Sequence, residues 1–173
     1  PGDNALMLTS QDADWLVSPA GLDAIGLAAQ ARSRHPGQAT AAANALQGLC
    51  GPLTAVQRSL ALAQAELYDL ANLRYGIDAA GLLLTRDGLE QATRPEISAE
   101  RVRNLGLETG TPIVDATAGL GFDAGALVAA GLQVTAVERD PGVAELLRHN
   151  VSGARIIVGD ITDEPCSSCA CQR

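Results

Sequence analysis

A change of hydrophobic period near residue 107 constrains this chain more than any other feature. Before it, apolar residues recur at helical spacing; after it, short apolar runs alternate with helical segments. Pro112–Ala116, Val134–Val137 and Arg155–Val158 read as short strands. Between them, Ala124–Ala130, ended by Gly131, and Gly142–Asn150 read as helices. Strand–helix–strand–helix–strand at this spacing predicts a βαβαβ unit, which builds a parallel sheet with right-handed crossovers. The chain is therefore expected to be α/β, with an N-terminal helical region followed by a partial domain of three parallel strands.

The helical expectation rests on composition as well as spacing. The chain is 47% hydrophobic but holds one Trp, one Phe and two Tyr. Much of the remainder is Ala and Leu, which favour closely packed helices. Ser10 is placed as the N-cap of a helix over Gln11–Val17 that Pro19 interrupts, and Leu22, Ile25 and Leu27–Ala28 continue an apolar stripe toward Arg34. His35-Pro36-Gly37 marks a turn, and Ala41–Leu49 a short helix stopped by Gly51-Pro52. Thr54–Arg74 is the longest helix, with Ala55, Leu60, Leu62, Ala63, Leu67, Leu70 and Leu73 assigned to its buried face and Gly76 ending it. After the apolar run Leu82–Leu84, Thr85 caps a helix over Arg86–Ala92. Thr93 or Arg94, before Pro95, starts another helix that reaches Leu105 and closes at Gly106.

Three regions follow: helical residues 1–106, α/β residues 107–162, and a tail, 163–173, expected to be disordered. Cys166, Cys169 and Cys171 crowd that tail. They supply fewer thiolates than a structural zinc site takes, and His35 and His149 lie far away in sequence, so no metal site is expected.

All twelve basic residues are Arg, and the formal net charge is -8. An acidic chain is a poor electrostatic match for a polyphosphate. No run of about 18 apolar residues occurs, so no membrane span is expected. No signal-peptide pattern opens the chain, and a cytoplasmic location is the default.

The ends of the three strands carry the chemistry, because ligands of open parallel sheets bind at the carboxyl edge. After the first strand, Gly119 and Gly121 allow a tight turn and a close approach of ligand to backbone N–H groups. Glu138 ends the second strand about twenty residues later, where a carboxylate accepts hydrogen bonds from ribose hydroxyls. Gly159-Asp160 follows the third; an acid there can accept from an adenine amino group, with Ile161 packing on the ring. The three together point to an adenosine ligand. Gly119-Leu120-Gly121-Phe122-Asp123-Ala124 also fits a dinucleotide fingerprint, which keeps an NAD-binding oxidoreductase half-domain as an alternative. Asp115, four residues before Gly119, argues against it: a carboxylate there repels a pyrophosphate and welcomes the ammonium of a methionine moiety.

Asp115 through Asp123, then Val134–Pro141, then Gly159-Asp160, resemble the S-adenosylmethionine site of class I methyltransferases. The upstream stretch Leu83-Leu84-Thr85-Arg86-Asp87-Gly88-Leu89-Glu90-Gln91-Ala92-Thr93 is similar to the segment before the catalytic domain in bacterial methyltransferases that bear a THUMP-like domain. A more distant likeness is to trimethylguanosine synthase. The resemblance implies a Rossmann-like fold and S-adenosylmethionine as cofactor. It sets Asp115 against the methionine amino group, Gly119 and Gly121 beneath the ligand, Glu138 on the ribose, and Asp160 with Ile161 on adenine. Thr117 and Arg139 belong to the same cofactor-binding motifs. Asp123 is assigned to capping the following helix or reaching the methionine end. Thr93, with Arg94 beside it, is directed to the methionine carboxylate, although Arg94 reads better as an ordinary surface charge.

A class I domain continues into further strands, the fourth often carrying an Asn/Asp-Pro-Pro-aromatic motif in amino-methylating relatives. No such motif follows Asp160. The expectation is a truncated form that keeps the cofactor-binding half, with catalytic residues unknown and RNA as the substrate the resemblance implies. The unpaired sheet edge leaves room for self-association. A non-catalytic helical interaction module is the third alternative.

Overall fold

The computed structural model describes residues 9–36, 38–48 and 52–162. Among them, six helices precede the sheet: α1 (Ser10–Leu16), α2 (Pro19–Arg34), α3 (Ala39–Gln47), α4 (Ala55–Tyr75), α5 (Arg86–Glu90) and α6 (Pro95–Leu105). Then come β1 (Pro112–Asp115), α7 (Phe122–Ala129), β2 (Gln133–Glu138), α8 (Pro141–Asn150) and β3 (Arg155–Val158). The strands lie in the order β1-β2-β3, and both pairings are parallel. The α/β expectation of helices followed by three parallel strands therefore holds. The Cys-containing stretch 163–173 lies outside the described residues.

Local chemistry explains where the helices start. Thr9, not Ser10, caps α1, because only Thr9 has an acid at the third helical position. The Thr9 hydroxyl accepts from Asp12 N while the Asp12 carboxylate accepts from Thr9 N, a reciprocal capping box. Pro19 opens α2 instead of interrupting a helix: Ser18 caps it, and the missing N–H falls where no partner is needed. Thr54 and Gln57 form a second capping box at α4, and Gly76 closes that helix at φ +65. Arg94 precedes Pro95 at the start of α6, as the sequence suggested, and Gly106 ends it.

The buried face of α4 differs from the expected one. Leu60, Ala61, Gln64, Ala65, Leu67 and Ala71 face inward, while Leu73 is 84% exposed. At about 3.6 residues per turn the inward set forms one stripe, with the exposed Ala55 and Leu73 across the helix from it and Leu62 and Leu70 half-buried against the same core. The small alanines let α4 approach α2 closely, so helix-to-helix fit and not side-chain size selected the face.

Two apolar clusters result. One runs through α1 to α5 and takes in Leu120 and Leu146, so the helical layer is packed against the strand-bearing half. The other joins Ala124, Leu127, Val134, Ala136, Leu147 and Val151 around β2. Each buried Leu contributes about 1.5–3 kcal/mol. Val114 on β1, at the sheet's edge, is 60% exposed. No described helix is long and apolar enough to cross a membrane.

Residues 82–84, between α4 and α5, form a strap pinned by side chains. Gln64 donates to Leu84 O at 2.6 Å and accepts from Leu84 N at 2.9 Å. The Tyr68 hydroxyl donates to Leu82 O at 2.7 Å. Asn150 accepts from Leu83 N at 2.8 Å and donates to Leu83 O at 2.9 Å.

Candidate functional site

The carboxyl ends of the three strands open on a cleft of about 510 Å³. One wall comes from Ala116, Thr117 and Gly119 after β1, Glu138 and Arg139 after β2, and Gly159, Asp160 and Ile161 after β3. The other comes from α5 and its cap: Thr85, Asp87, Gly88 and Gln91. Of the residues selected from sequence, Thr117, Gly119, Glu138, Arg139, Asp160 and Ile161 thus meet in one space.

The glycine loop takes its shape from two left-handed residues, Gly119 at φ +53 and Gly121 at φ +91. Their tasks differ. A Cβ on Gly119 would meet nothing within 4 Å, whereas one on Gly121 would overlap Val151 and lie 2.6 Å from Leu147 Cδ1. Gly121 is therefore turned into the core beneath the cleft. Gly119→Ala is expected to cost only the left-handed backbone term of about 1–2 kcal/mol. Gly121→Ala adds overpacking of about 1–3 kcal/mol to that same term. Denaturant unfolding of the two variants should separate them in that order.

Glu138 ties the cleft together. One carboxylate oxygen accepts from Gly119 N at 3.0 Å, the other from Asp140 N at 2.9 Å. Asp140 in turn caps α8 by accepting from Val143 N at 3.0 Å. A carboxylate has about four lone-pair sites, so Glu138 keeps acceptor capacity toward the cleft. Asp160 accepts from the Thr162 hydroxyl at 2.7 Å and from Thr162 N at 2.9 Å. These bonds, with Arg139 acting in the same sense, hold its carboxyl below the usual range.

Asp115 and Asp123 lie on the far side of Ala116. They line a second groove of about 480 Å³ beneath α6, which Ala116 also borders. The Oδ2 atom of Asp115 is buried without a hydrogen-bond partner, while Oδ1 accepts from Thr117 N at 3.3 Å. Burial pushes the Asp115 carboxyl up from its ordinary value, and the neighbouring Asp123 charge pushes the same way. N–H groups of Thr117 and Ala124 oppose them. An unpaired buried acceptor is costly, and at the end of a parallel strand it marks a place for a donor such as an ammonium.

Asp123 does not cap α7, which has no side-chain cap. Its carboxylate accepts from the Thr93 hydroxyl at 2.7 Å, from the Ser98 hydroxyl at 2.5 Å and from Arg101 Nη1 at 3.1 Å. Three donors from α6 and its approach outcompete the nearby helix N–H groups. Thr93 is thereby engaged with Asp123, and Arg94 is exposed at the start of α6. Sequence reasoning missed Thr85, Asp87, Gln91 and Val143 as cleft residues. The cap at Thr85 was readable, but that α5 faces the strand ends is a tertiary fact.

Residues 83–157 match the model of a family described as "Putative SAM-dependent methyltransferase". S-adenosylmethionine is the cofactor this family implies. The match begins in the strap before α5 and runs into β3, so it takes in the α5 wall and the cleft residues after β1 and β2, and stops short of Gly159, Asp160 and Ile161. The chain is also similar to the crystal structure of a "putative methyltransferase from Porphyromonas gingivalis W83". The two share 23% identity at a TM-score of 0.57, over 80% of this chain and 35% of that one. This chain thus spans about a third of its structural neighbour, and the likeness is one of fold. No curated protein matches.

The side chains fit the methyltransferase cofactor better than a dinucleotide. Asp87, Glu138, Asp140 and Asp160 bring four carboxylates to the cleft against the single guanidinium of Arg139. Such a lining repels a pyrophosphate and favours a ligand bearing a sulfonium and an ammonium.

Proposed function

We propose that this chain is the S-adenosylmethionine-binding half of a methyltransferase. The observation that carries this reading is the buried, unpartnered Oδ2 of Asp115 at the end of β1, next to an acidic cleft. Asp115 would receive the methionine ammonium, Glu138 the ribose hydroxyls, and Asp160 the adenine amino group, with Ile161 against the ring. Thr117, Gly119 and Arg139 line the same path. When bound, the cofactor supplies an activated methyl group on sulfur. The chain's own part is to hold that group in a fixed place, since methyl transfer depends chiefly on in-line positioning of the acceptor.

The proposed acceptor is RNA, supported by the resemblance of Leu83–Thr93 to THUMP-like methyltransferases. The net charge of -8 requires that RNA be gripped by residues outside this acidic surface. The edge of β1, unpaired among the described residues, supports the further proposal of self-association there.

A fluorescence titration separates the cofactor classes. NADH should show no saturable enhancement with this protein, while S-adenosylhomocysteine raises its melting temperature. Saturable NADH binding that S-adenosylmethionine fails to displace would overturn the proposal.

A further inference from the structure

We infer that Asn150 is a positioning residue that sets the gap between the two walls of the cleft; this rests on reading the cleft as the cofactor site. Asn150 is the last residue of α8 and lines neither wall. Its planar amide nevertheless reaches both. Oδ1 accepts from Leu83 N at 2.8 Å, and Nδ2 donates to Leu83 O at 2.9 Å and to Leu120 O at 3.1 Å. Leu83 leads through the cap Thr85 into α5, which forms one wall. Leu120 stands between Gly119, part of the other wall, and Gly121, the start of α7.

The walls also touch directly. A Cβ on Gly88 would lie 2.6 Å from Leu120 Cδ1, so α5 rests on the Leu120 side chain while Asn150 holds the Leu120 carbonyl. Leu120 stands between two left-handed glycines, at φ +53 and φ +91. Glycine backbone is the most permissive there is; the peptide after Leu120 is held at its N–H by the turn itself, Gly121 N donating to Ala118 O at 2.8 Å, and at its carbonyl by Asn150 at 3.1 Å. Asn150 holds the carbonyl, while Gly119 N stays on Glu138. The strap has no strand beside it among the described residues, so no ladder replaces these bonds.

Asn150→Asp tests the idea with little change of shape. It keeps the acceptor for Leu83 N but sets an anion against two carbonyl oxygens. Tyr68→Phe is the control, since it loosens the strap from the α4 side without touching the glycine loop. In the full chain without ligand, Asn150→Asp should speed hydrogen exchange at the Gly119–Phe122 amides by about tenfold or more. S-adenosylmethionine affinity should fall by a similar factor. Tyr68→Phe should leave both within about twofold even where it lowers the melting temperature. Unchanged exchange and affinity in a destabilised Asn150→Asp overturn the inference. If that variant does not fold, Gly88→Ala decides: it wedges α5 off Leu120 and should weaken binding by about fivefold or more, and unchanged affinity overturns the clamp. Faster exchange in Asn150→Asp, combined with no cofactor binding by the native chain, supports the clamp and sinks the cofactor reading instead.

Discussion

Asp115→Asn should weaken S-adenosylmethionine binding by about 10–150-fold while leaving the fold as stable as before or more so. A charge-assisted hydrogen bond to the methionine ammonium contributes about 1.5–3 kcal/mol, which converts to that range. The stability side has the opposite sign from most site mutations. Burial and the Asp123 charge raise the Asp115 carboxyl in the folded chain above its ordinary value of 3.8. The native state therefore holds its proton to higher pH than the unfolded state does. Between the two pKa values stability falls as pH rises, and the cost stays in full above the folded value. Below pH 3.8 both states are protonated and the cost vanishes. Asparagine has no charge to bury, so the variant gains most at neutral pH and nothing in acid. Asp115 as a whole is half-buried, so the gain is about 1 kcal/mol, the low end for an unpaired buried group. Thermal melts across pH and a binding titration read the two effects separately. Cofactor affinity of the native chain should also weaken on acidification while an ordinary aspartate would still be charged.

Glu138→Gln should lose on both counts. Glu138 accepts from Gly119 N and Asp140 N, so it is structural before any ligand arrives. Glutamine offers one acceptor oxygen and turns its amide nitrogen toward the second N–H, leaving a donor facing a donor. The expected stability loss is about 1–3 kcal/mol. Affinity should drop by about 10-fold or more if, as proposed, Glu138 accepts from the ribose, because that acceptor is weakened and the glycine loop loosens. Opposite stability signs for Asp115→Asn and Glu138→Gln, with a binding loss in both, are not expected of two generic surface carboxylates. The measurements are urea unfolding and calorimetric titration on the same preparations.

The strands, the glycine turn and the strand-end acids were readable because each is a local pattern whose position in a parallel sheet follows from chain order. Cleft residues Thr117, Gly119, Glu138, Arg139, Asp160 and Ile161 come together for that reason. The cap expected of Asp123 is absent because its partners, Thr93, Ser98 and Arg101, lie 22 to 30 residues away and meet it only when α6 packs on α7. The inward stripe of α4 was legible in part: Leu60 and Leu67 are buried as expected, but hydrophobic size alone cannot show that Ala61, Ala65 and Ala71 face inward while Leu73 does not. The α5 wall and the Asn150 amide left no trace in periodicity. An asparagine at a helix end reads as a stop signal, and its three backbone partners exist only in the folded chain.

The central claim is that Asp115 and the acidic cleft together hold S-adenosylmethionine. Isothermal titration of the chain with S-adenosylmethionine at neutral pH, repeated with Asp115→Asn, tests it most directly. Saturable one-to-one heat from the native chain, lost or displaced to at least about tenfold weaker binding in the variant, is the predicted result. Equal affinity in the two proteins, or no heat from a folded native chain, would contradict it.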